Sequence, residues 1–81
     1  MRTGDATLTR RVRSEFIRRE IDTSRLEVRV IHGVAYLGGE LRETRSRRIP
    51  DQKKEMEIIE SIIQTIRGIR GIDNRIRWER I

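Results

Sequence analysis

Few residues of this chain could take part in covalent chemistry. There is one histidine, His32, and no cysteine, which excludes disulfides, thiolate nucleophiles and thiolate metal sites. A general base or a metal ligand needs partners at a suitable spacing, and the scattered carboxylates around His32 form no such pattern. We therefore expect a non-enzymatic protein without a cofactor or a metal ion, in which His32 is a turn residue.

Anion binding is the chemistry that the composition favours. The 81 residues include 19 lysines and arginines and 13 acidic residues, so the formal net charge is +6. A surface of this sign attracts the phosphates of nucleic acids or of anionic lipids. The other interpretation is a surface of solvated ion pairs, since Glu15 lies at i,i+4 spacing from both Arg11 and Arg19 on a predicted helix. A protein adapted to heat would have a similar composition.

Basic residues are densest over residues 42–54, which we call the basic connector because it joins a predicted hairpin to a predicted helix. Its acidic residues are Glu43 and Asp51. Lysine and arginine attract anionic headgroups while a few apolar side chains insert shallowly, so the segment predicts binding to a membrane surface or an acidic partner. A mobile, solvated loop is the alternative. The candidate residues for binding an anion or a lipid are Arg42, Arg45, Arg47, Arg48, Lys53, Lys54, Met56 and Ile58.

A second group of candidates alternates along predicted strands, so their side chains share the face of the sheet that no helix covers. Arginines beside an aromatic ring could neutralise and stack on single-stranded RNA or DNA. The alternatives are cross-strand Arg–Glu pairs in solvent and association of two copies of the chain through this face. These sheet-face candidates are Arg25, Arg29, Tyr36, Arg75 and Arg77.

A hairpin must position the second group. Apolar residues alternate with polar or small ones over 26–31 and again over 34–41. His32 and Gly33 between these runs predict a two-residue turn, because both residue types tolerate positive φ. After the hairpin, a last strand is predicted from about Ile69 to Glu79, beside and parallel to the second strand of the hairpin.

Two helices are predicted on either side of the hairpin. The first starts near Asp5 or Thr7, either of which could be its N-cap, and ends near residue 20. The second follows Asp51, another candidate N-cap, and runs to about residue 66. Gln52 and Glu55 are polar where the apolar stripe of this second helix would continue, so its first turn is expected to project beyond the core.

These elements predict a single α+β domain over residues 1–81, with a disordered arm at residues 1–4. The architecture is a two-layer sandwich in the order α-β-β-α-β, in which two helices pack on one face of a three-stranded sheet. No apolar run approaches the roughly 18–20 residues that span a bilayer, and residues 1–13 contain no signal-peptide core. A cytoplasmic location is therefore expected, with the periplasm or envelope as the alternative for a mature or trimmed chain.

The order of elements and the positions of the glycines resemble the BON domain, the bacterial osmotic-stress and nodulation domain. The residues that carry the resemblance are Val28-Arg-Val30, Gly33-Val-Ala-Tyr-Leu-Gly-Gly39-Glu-Leu41 and Ile66-Arg-Gly68-Ile-Arg-Gly-Ile72-Asp-Asn74-Arg-Ile76. It covers the chain from Leu8 to Trp78 and implies a binding module that interacts with phospholipid or an envelope partner. The chain holds one copy of the domain, whereas many BON proteins carry tandem copies. The basic connector is longer than is usual for the family, so this departure coincides with the cluster of charge.

Three glycines are expected to be structural. Gly33 permits the turn, Gly39 lets a helix approach the inward face of its strand, and Gly68 forms the left-handed C-cap of the second helix. Residues 68–71 also form a GxxG sequence, the loop type with which KH domains clamp a nucleic-acid backbone. In KH domains that loop joins two helices, whereas here it would join a helix to a strand.

Overall fold

A computed structural model describes residues 3–79 of the chain. Its α+β fold follows the order α-β-β-β-α-β-β instead of the predicted α-β-β-α-β. The elements are α1 (Thr3–Arg18), β1 (Ile21–Asp22), β2 (Leu26–Ile31), β3 (Val34–Glu43), α2 (Gln52–Gln64), β4 (Gly71–Asn74) and β5 (Arg77–Trp78).

The long strand β3 is the centre of the sheet. On one side it pairs antiparallel with β2 and β1, and on the other it pairs parallel with β4 and β5. The sheet therefore has five strands rather than the predicted three, because the strands on both sides of β3 are interrupted.

Each interruption lies at a residue whose side chain binds the backbone two positions further on. The carboxylate of Asp22 accepts a hydrogen bond from the N–H of Ser24 at 2.9 Å. The side-chain carbonyl of Asn74 accepts one from the N–H of Ile76, also at 2.9 Å. Such bonds compete with the ladder of a sheet. The predicted continuous strand over 69–79 is therefore wrong, since β4 begins at Gly71 and ends at Asn74, and β5 begins only at Arg77.

The free edge of β2 is partly occupied by side chains of α1. The hydroxyl of Thr9 accepts a hydrogen bond from the backbone N–H of Val30 at 3.0 Å. The guanidinium of Arg13 donates to the carbonyl oxygen of Leu26 at 3.1 Å and to that of Thr23 at 3.0 Å. These contacts satisfy backbone groups that point away from β3 and tie α1 to the sheet.

The hairpin turn is confirmed. His32 has φ 51° and Gly33 has φ 82°, and Ile31 lies opposite Val34 across the turn. Positive φ at both central residues is the signature of a type I′ turn, whose twist matches that of the flanking strands.

A single apolar core fills the space between the sheet and the two helices, which contact each other, while α1 packs on β2 and α2 on β4. Regular spacing explains this packing, because residues three or four apart share one face of a helix and alternate residues share one face of a strand. The buried residues include Val12 and Phe16 of α1, Ile59 and Ile63 of α2, and Ala35, Leu37 and Leu41 of β3.

The start of the first helix differs from the prediction. The first helix begins at Thr3, so Asp5 and Thr7 lie inside it and neither is its N-cap. Residues 1 and 2 of the expected disordered arm lie outside the described residues, whereas residues 3 and 4 belong to α1. The cap of α2 is confirmed, because the carboxylate of Asp51 accepts a hydrogen bond from the N–H of Lys54 at 2.9 Å.

Gly39 and Gly68 both have positive φ, of 80° and 102°, but for reasons other than those predicted. A Cβ on Gly39 would collide with the carbonyl oxygen of Arg25 in the connection between β1 and β2, so it is this connection and not a helix that requires glycine here. The second helix ends at Gln64, before Gly68. Gly68 is instead the third residue of a turn over 66–69, closed by a hydrogen bond of 3.1 Å, where positive φ is typical of a type II turn.

Candidate functional site

The basic connector is not one loop. Arg42 lies in β3, Lys53 and Lys54 lie in the first turn of α2, and residues 44–51 link the two elements. The first turn of α2 does not project beyond the core as predicted, since Glu55 is 4% exposed and Met56 is 8% exposed.

Two arginines surround the buried carboxylate of Glu55. Arg47 donates to both of its oxygens, at 2.8 and 2.7 Å, and Arg19 approaches the same two oxygens from the end of α1. Arg47 also donates to the carbonyl oxygen of Arg19 at 2.7 Å. We call these three residues the Glu55 cluster. It fastens the connector to both helices at once.

The hydrogen bonds in this cluster stabilise the charged forms of its members. Those from Arg47 and Arg19 lower the pKa of Glu55 to about 2, against the opposing effect of burial. The hydrogen bonds that Arg47 donates to Glu55 also raise the pKa of Arg47. Glu55 is therefore ionised at every pH at which the protein would act, and the cluster as a whole carries one positive charge.

Two other arginines of the connector are also held by carboxylates. Arg42 lies 2.7 Å from Glu79, which follows β5, so it belongs with the sheet and not with the connector. Arg48 lies 3.1 Å from Glu43, whose other oxygen accepts the backbone N–H of Ile49 at 2.8 Å. The bonds from Ile49 and Arg48 lower the pKa of Glu43.

Three cations of the connector are more available. Arg45, Lys53 and Lys54 are exposed, and within residues 3–79 no carboxylate lies within ion-pair distance of them. The apolar candidates are less exposed than these cations, because Met56 is buried and Ile58 is half-buried. The prediction that Met56 meets a membrane is therefore wrong: its side chain is part of the core.

The Glu55 cluster gathers the end of α1, the connector and the start of α2 at one end of the molecule, which we call the basic pole. The hydroxyl of Thr44 adds a further tie there by donating to the carbonyl oxygen of Glu20 at 3.0 Å. Two open hollows of about 290 and 200 Å³ flank Arg19 and Arg47. The charged residues of the pole are the cations Arg18, Arg19, Arg45, Arg47, Arg48, Lys53 and Lys54 and the anions Glu15, Glu20, Glu43, Asp51, Glu55 and Glu57, of which Glu15 lies 3.7 Å from Arg18.

The sheet face has a different balance of charge. Glu40 lies 3.4 Å from Arg25 and 3.8 Å from Arg77, and Asp73 lies 3.2 Å from Arg75. These pairs match the alternative interpretation of solvated cross-strand pairs. The predicted residues Arg25, Arg29, Arg75 and Arg77 are all exposed, and they share the face with the carboxylates Glu27, Glu40, Asp73 and Glu79.

The sheet face also carries a hollow. It is an open concavity of about 770 Å³, and Tyr36 lies at its side with 42% of its surface exposed. The residues that line it are Arg13, Glu27, Val28, Arg29, Ile31, Tyr36, Leu37, Gly38 and Arg75.

Comparison with known families identifies the fold. A family model described as the BON domain matches residues 4–49, which is more than half of the chain and includes α1 and the whole hairpin. The chain belongs to the BON domain family. The resemblance predicted from the hairpin and its glycines is thus confirmed, although the matched part ends before α2 and Gly68. No curated protein and no solved structure gives a significant match.

Membership of the BON family supports a binding role, since BON domains are in general binding modules. Over the part of the chain that the structure describes, no three potential metal ligands of the His, Cys, Asp or Glu type come together. No helix in that part is long and apolar enough to span a bilayer.

Sequence reasoning missed Glu55 and Arg19, although one signal was available. Glu55 lies on the apolar stripe of α2, four residues before Ile59 and eight before Ile63. An acidic residue in line with such a stripe is buried and needs a cationic partner. The identity of that partner was not readable, because Arg19 is 36 residues away in the chain.

Proposed function

We propose that this BON domain binds the surface of anionic phospholipid membranes through its basic pole. The observation that carries the proposal is the excess of cations gathered there by the Glu55 cluster. Arg45, Lys53 and Lys54 are exposed and form no ion pair within residues 3–79, so their charges are accessible to lipid phosphates.

The contact would be electrostatic and shallow. Each lysine or arginine near an anionic leaflet contributes about 1 kcal/mol of attraction, and salt screens it within a Debye length. Burial of Met56 and Ile49 removes two apolar residues that could otherwise insert. The exposed apolar residue of this end is Ile17 in the last turn of α1, with 56% of its surface exposed, and it would supply a small apolar contact.

The basic pole is favoured over the sheet face because the charges there do not cancel. On the sheet face, Glu40 lies near both Arg25 and Arg77 and would repel a lipid phosphate as it approached them. At the pole, the carboxylates of Glu43, Asp51 and Glu55 are each engaged by hydrogen bonds within the fold.

Vesicle binding by the full chain tests the proposal. Affinity for anionic and for neutral vesicles would be measured over a salt series. The variant R45Q/K53Q/K54Q is expected to lose about two orders of magnitude in affinity for anionic vesicles, at about 1 kcal/mol per charge. The matched variant R25Q/R75Q/R77Q has the same net charge and is expected to retain most of the affinity, while Ile17→Ser loses severalfold.

The result that overturns the proposal is absence of binding to anionic vesicles at low salt. Equal losses of affinity in the two triple variants would overturn the assignment to the basic pole, because they would show that net charge alone determines the affinity for vesicles. The same variants distinguish a protein partner with an acidic surface. Its binding would be weakened by R45Q/K53Q/K54Q, and the unchanged protein would not bind vesicles.

A further inference from the structure

Gly38 occupies a position that the fold does not reserve for glycine. It lies in the central strand β3, and it is not among the glycines with positive φ. A Cβ built there would meet only the carboxylate of Glu27, at an ordinary distance of 3.6 Å. Glycine inside a strand reduces stability and often marks a place where a ligand approaches the backbone closely.

Gly38 also forms the floor of the large concavity on the sheet face. Glu27 is its direct partner on β2. Arg75 lies next to it on the other side, since the N–H of Arg75 donates to the carbonyl oxygen of Leu37 at 2.8 Å. The bare glycine therefore separates an acidic from a basic side chain and leaves the space between them open.

The adjacent row of the sheet supplies an aromatic ring and another guanidinium. Tyr36 lies directly opposite Arg29, and both are exposed on the same face as Gly38. Neither Glu27 nor Arg29 has an ion-pair partner among the residues that the structure describes, although the other sheet-face arginines do. Two charged groups beside the floor are thus left for a ligand.

These groups match the parts of a nucleotide. A planar base stacks on any exposed aromatic ring, with little preference for sequence. A guanidinium donates to a phosphate in a bidentate manner, and a carboxylate accepts hydrogen bonds from the amino group of a base. A saturated lipid or a plain carboxylic acid would leave either the ring or the acidic group without a partner.

We propose that the concavity over Gly38 binds a nucleotide. The base lies beside Tyr36 on the bare backbone of Gly38, with its amino group towards Glu27. The phosphate lies at Arg29, the guanidinium of this face that has no ion-pair partner within residues 3–79. The site is separate from the basic pole, so this proposal does not depend on whether the domain binds membranes.

Titration of the full chain with three probes tests this site: AMP, an octamer of adenylate, and an octamer of the same backbone without bases. Amide chemical shifts would report the position of binding and its affinity. The octamer with bases is expected to bind at least about tenfold more tightly than the abasic one, because stacking supplies the difference. Binding of AMP supports a mononucleotide site, whereas binding of the adenylate octamer alone supports a single-strand site.

Four variants sharpen the test. Gly38→Val fills the floor with a residue that suits a strand, and Tyr36→Leu removes the ring; each is expected to weaken binding about tenfold or more. Tyr36→Phe keeps the ring and is expected to retain the affinity. The control variant K53Q/K54Q alters the basic pole and is expected to leave the shifts of Gly38 and its neighbours unchanged.

Three outcomes overturn the proposal. In the first, neither AMP nor the adenylate octamer shifts the amide of Gly38. In the second, the abasic octamer binds as tightly as the adenylate octamer, which would mean attraction of phosphate alone. In the third, folded Gly38→Val and Tyr36→Leu both bind the octamer with the affinity of the unchanged protein.

Discussion

The basic pole and the sheet face are both rich in arginine, yet they use it in different ways. At the pole, Arg19 and Arg47 enclose a carboxylate that is 4% exposed and hold three segments of the chain together. On the sheet face, Arg75 and Arg77 pair with carboxylates while 82% and 80% of their own side chains are exposed to solvent.

The difference shows that the burial of the carboxylate decides what an ion pair contributes. A buried, fully hydrogen-bonded carboxylate leaves uncompensated charge behind when a partner is removed. When an exposed pair loses one partner, water replaces the lost contacts at almost no cost in free energy. Arg19 and Arg47 are thus needed for the fold, whereas the paired arginines of the sheet face contribute little to its stability.

The largest expected effect is that of breaking the Glu55 cluster. Glu55→Gln keeps the shape of the side chain but leaves two guanidiniums facing a neutral group. We expect the free energy of unfolding to fall by about 3 kcal/mol, as for other buried pairs that lose one partner. Denaturation by urea measures this change. A loss no larger than that of Glu40→Gln on the sheet face would contradict the comparison.

The dependence of stability on pH should come largely from the same carboxyl group. Its pKa is about 2 in the folded protein, below the ordinary value of 4.5, so the unfolded chain binds the proton more tightly. This stabilisation is complete above pH 4.5 and is lost as the pH falls towards 2, by up to about 3 kcal/mol. Curves of melting temperature against pH for the unchanged protein and for Glu55→Gln should converge at low pH. Parallel curves would refute this assignment.

Two adjacent glycines of β3 offer a smaller contrast within the sheet. Gly39→Ala is expected to cost about 2 kcal/mol or more, because its Cβ collides with the carbonyl of Arg25 at positive φ. Gly38→Ala should be neutral or stabilising by about 0.5–1 kcal/mol, since the change only reduces the conformational freedom of the unfolded chain. Thermal unfolding of both variants measures the contrast, and a cost for Gly38→Ala like that of Gly39→Ala would remove the argument for an open floor.

The smallest expected effect is that of a single ion pair on the sheet face. A double-mutant cycle over Arg77 and Glu40 is expected to give a coupling below about 0.5 kcal/mol, further reduced by salt. A coupling above 1.5 kcal/mol would place this pair in the same class as the Glu55 cluster and remove the distinction between the two regions.

Local features of the fold could be predicted from the sequence because they depend on neighbouring residues. The positive φ of His32 and Gly33 and the cap at Asp51 both follow from residue types within one turn. The BON resemblance could be recognised in the same way, since it depends on the spacing of glycines and apolar residues.

Features that depend on distant partners could not be predicted. The burial of the first turn of α2 depends on Arg19, which only the fold brings to Glu55. The identity of the group that excludes a Cβ at Gly39 depends on how the connection at Arg25 runs beside β3. Arg42 was assigned to the connector because Glu79, its partner, is 37 residues away.

The interruptions at Asp22 and Asn74 have a consequence for how this protein behaves when it is concentrated. An uninterrupted edge strand is a template on which further chains can assemble into fibrils. Here one edge is cut at Asp22 and partly occupied by Thr9 and Arg13, and the other is cut at Asn74. Growth of the sheet from chain to chain is therefore disfavoured, and the molecule can expose an open sheet face without a high risk of aggregation.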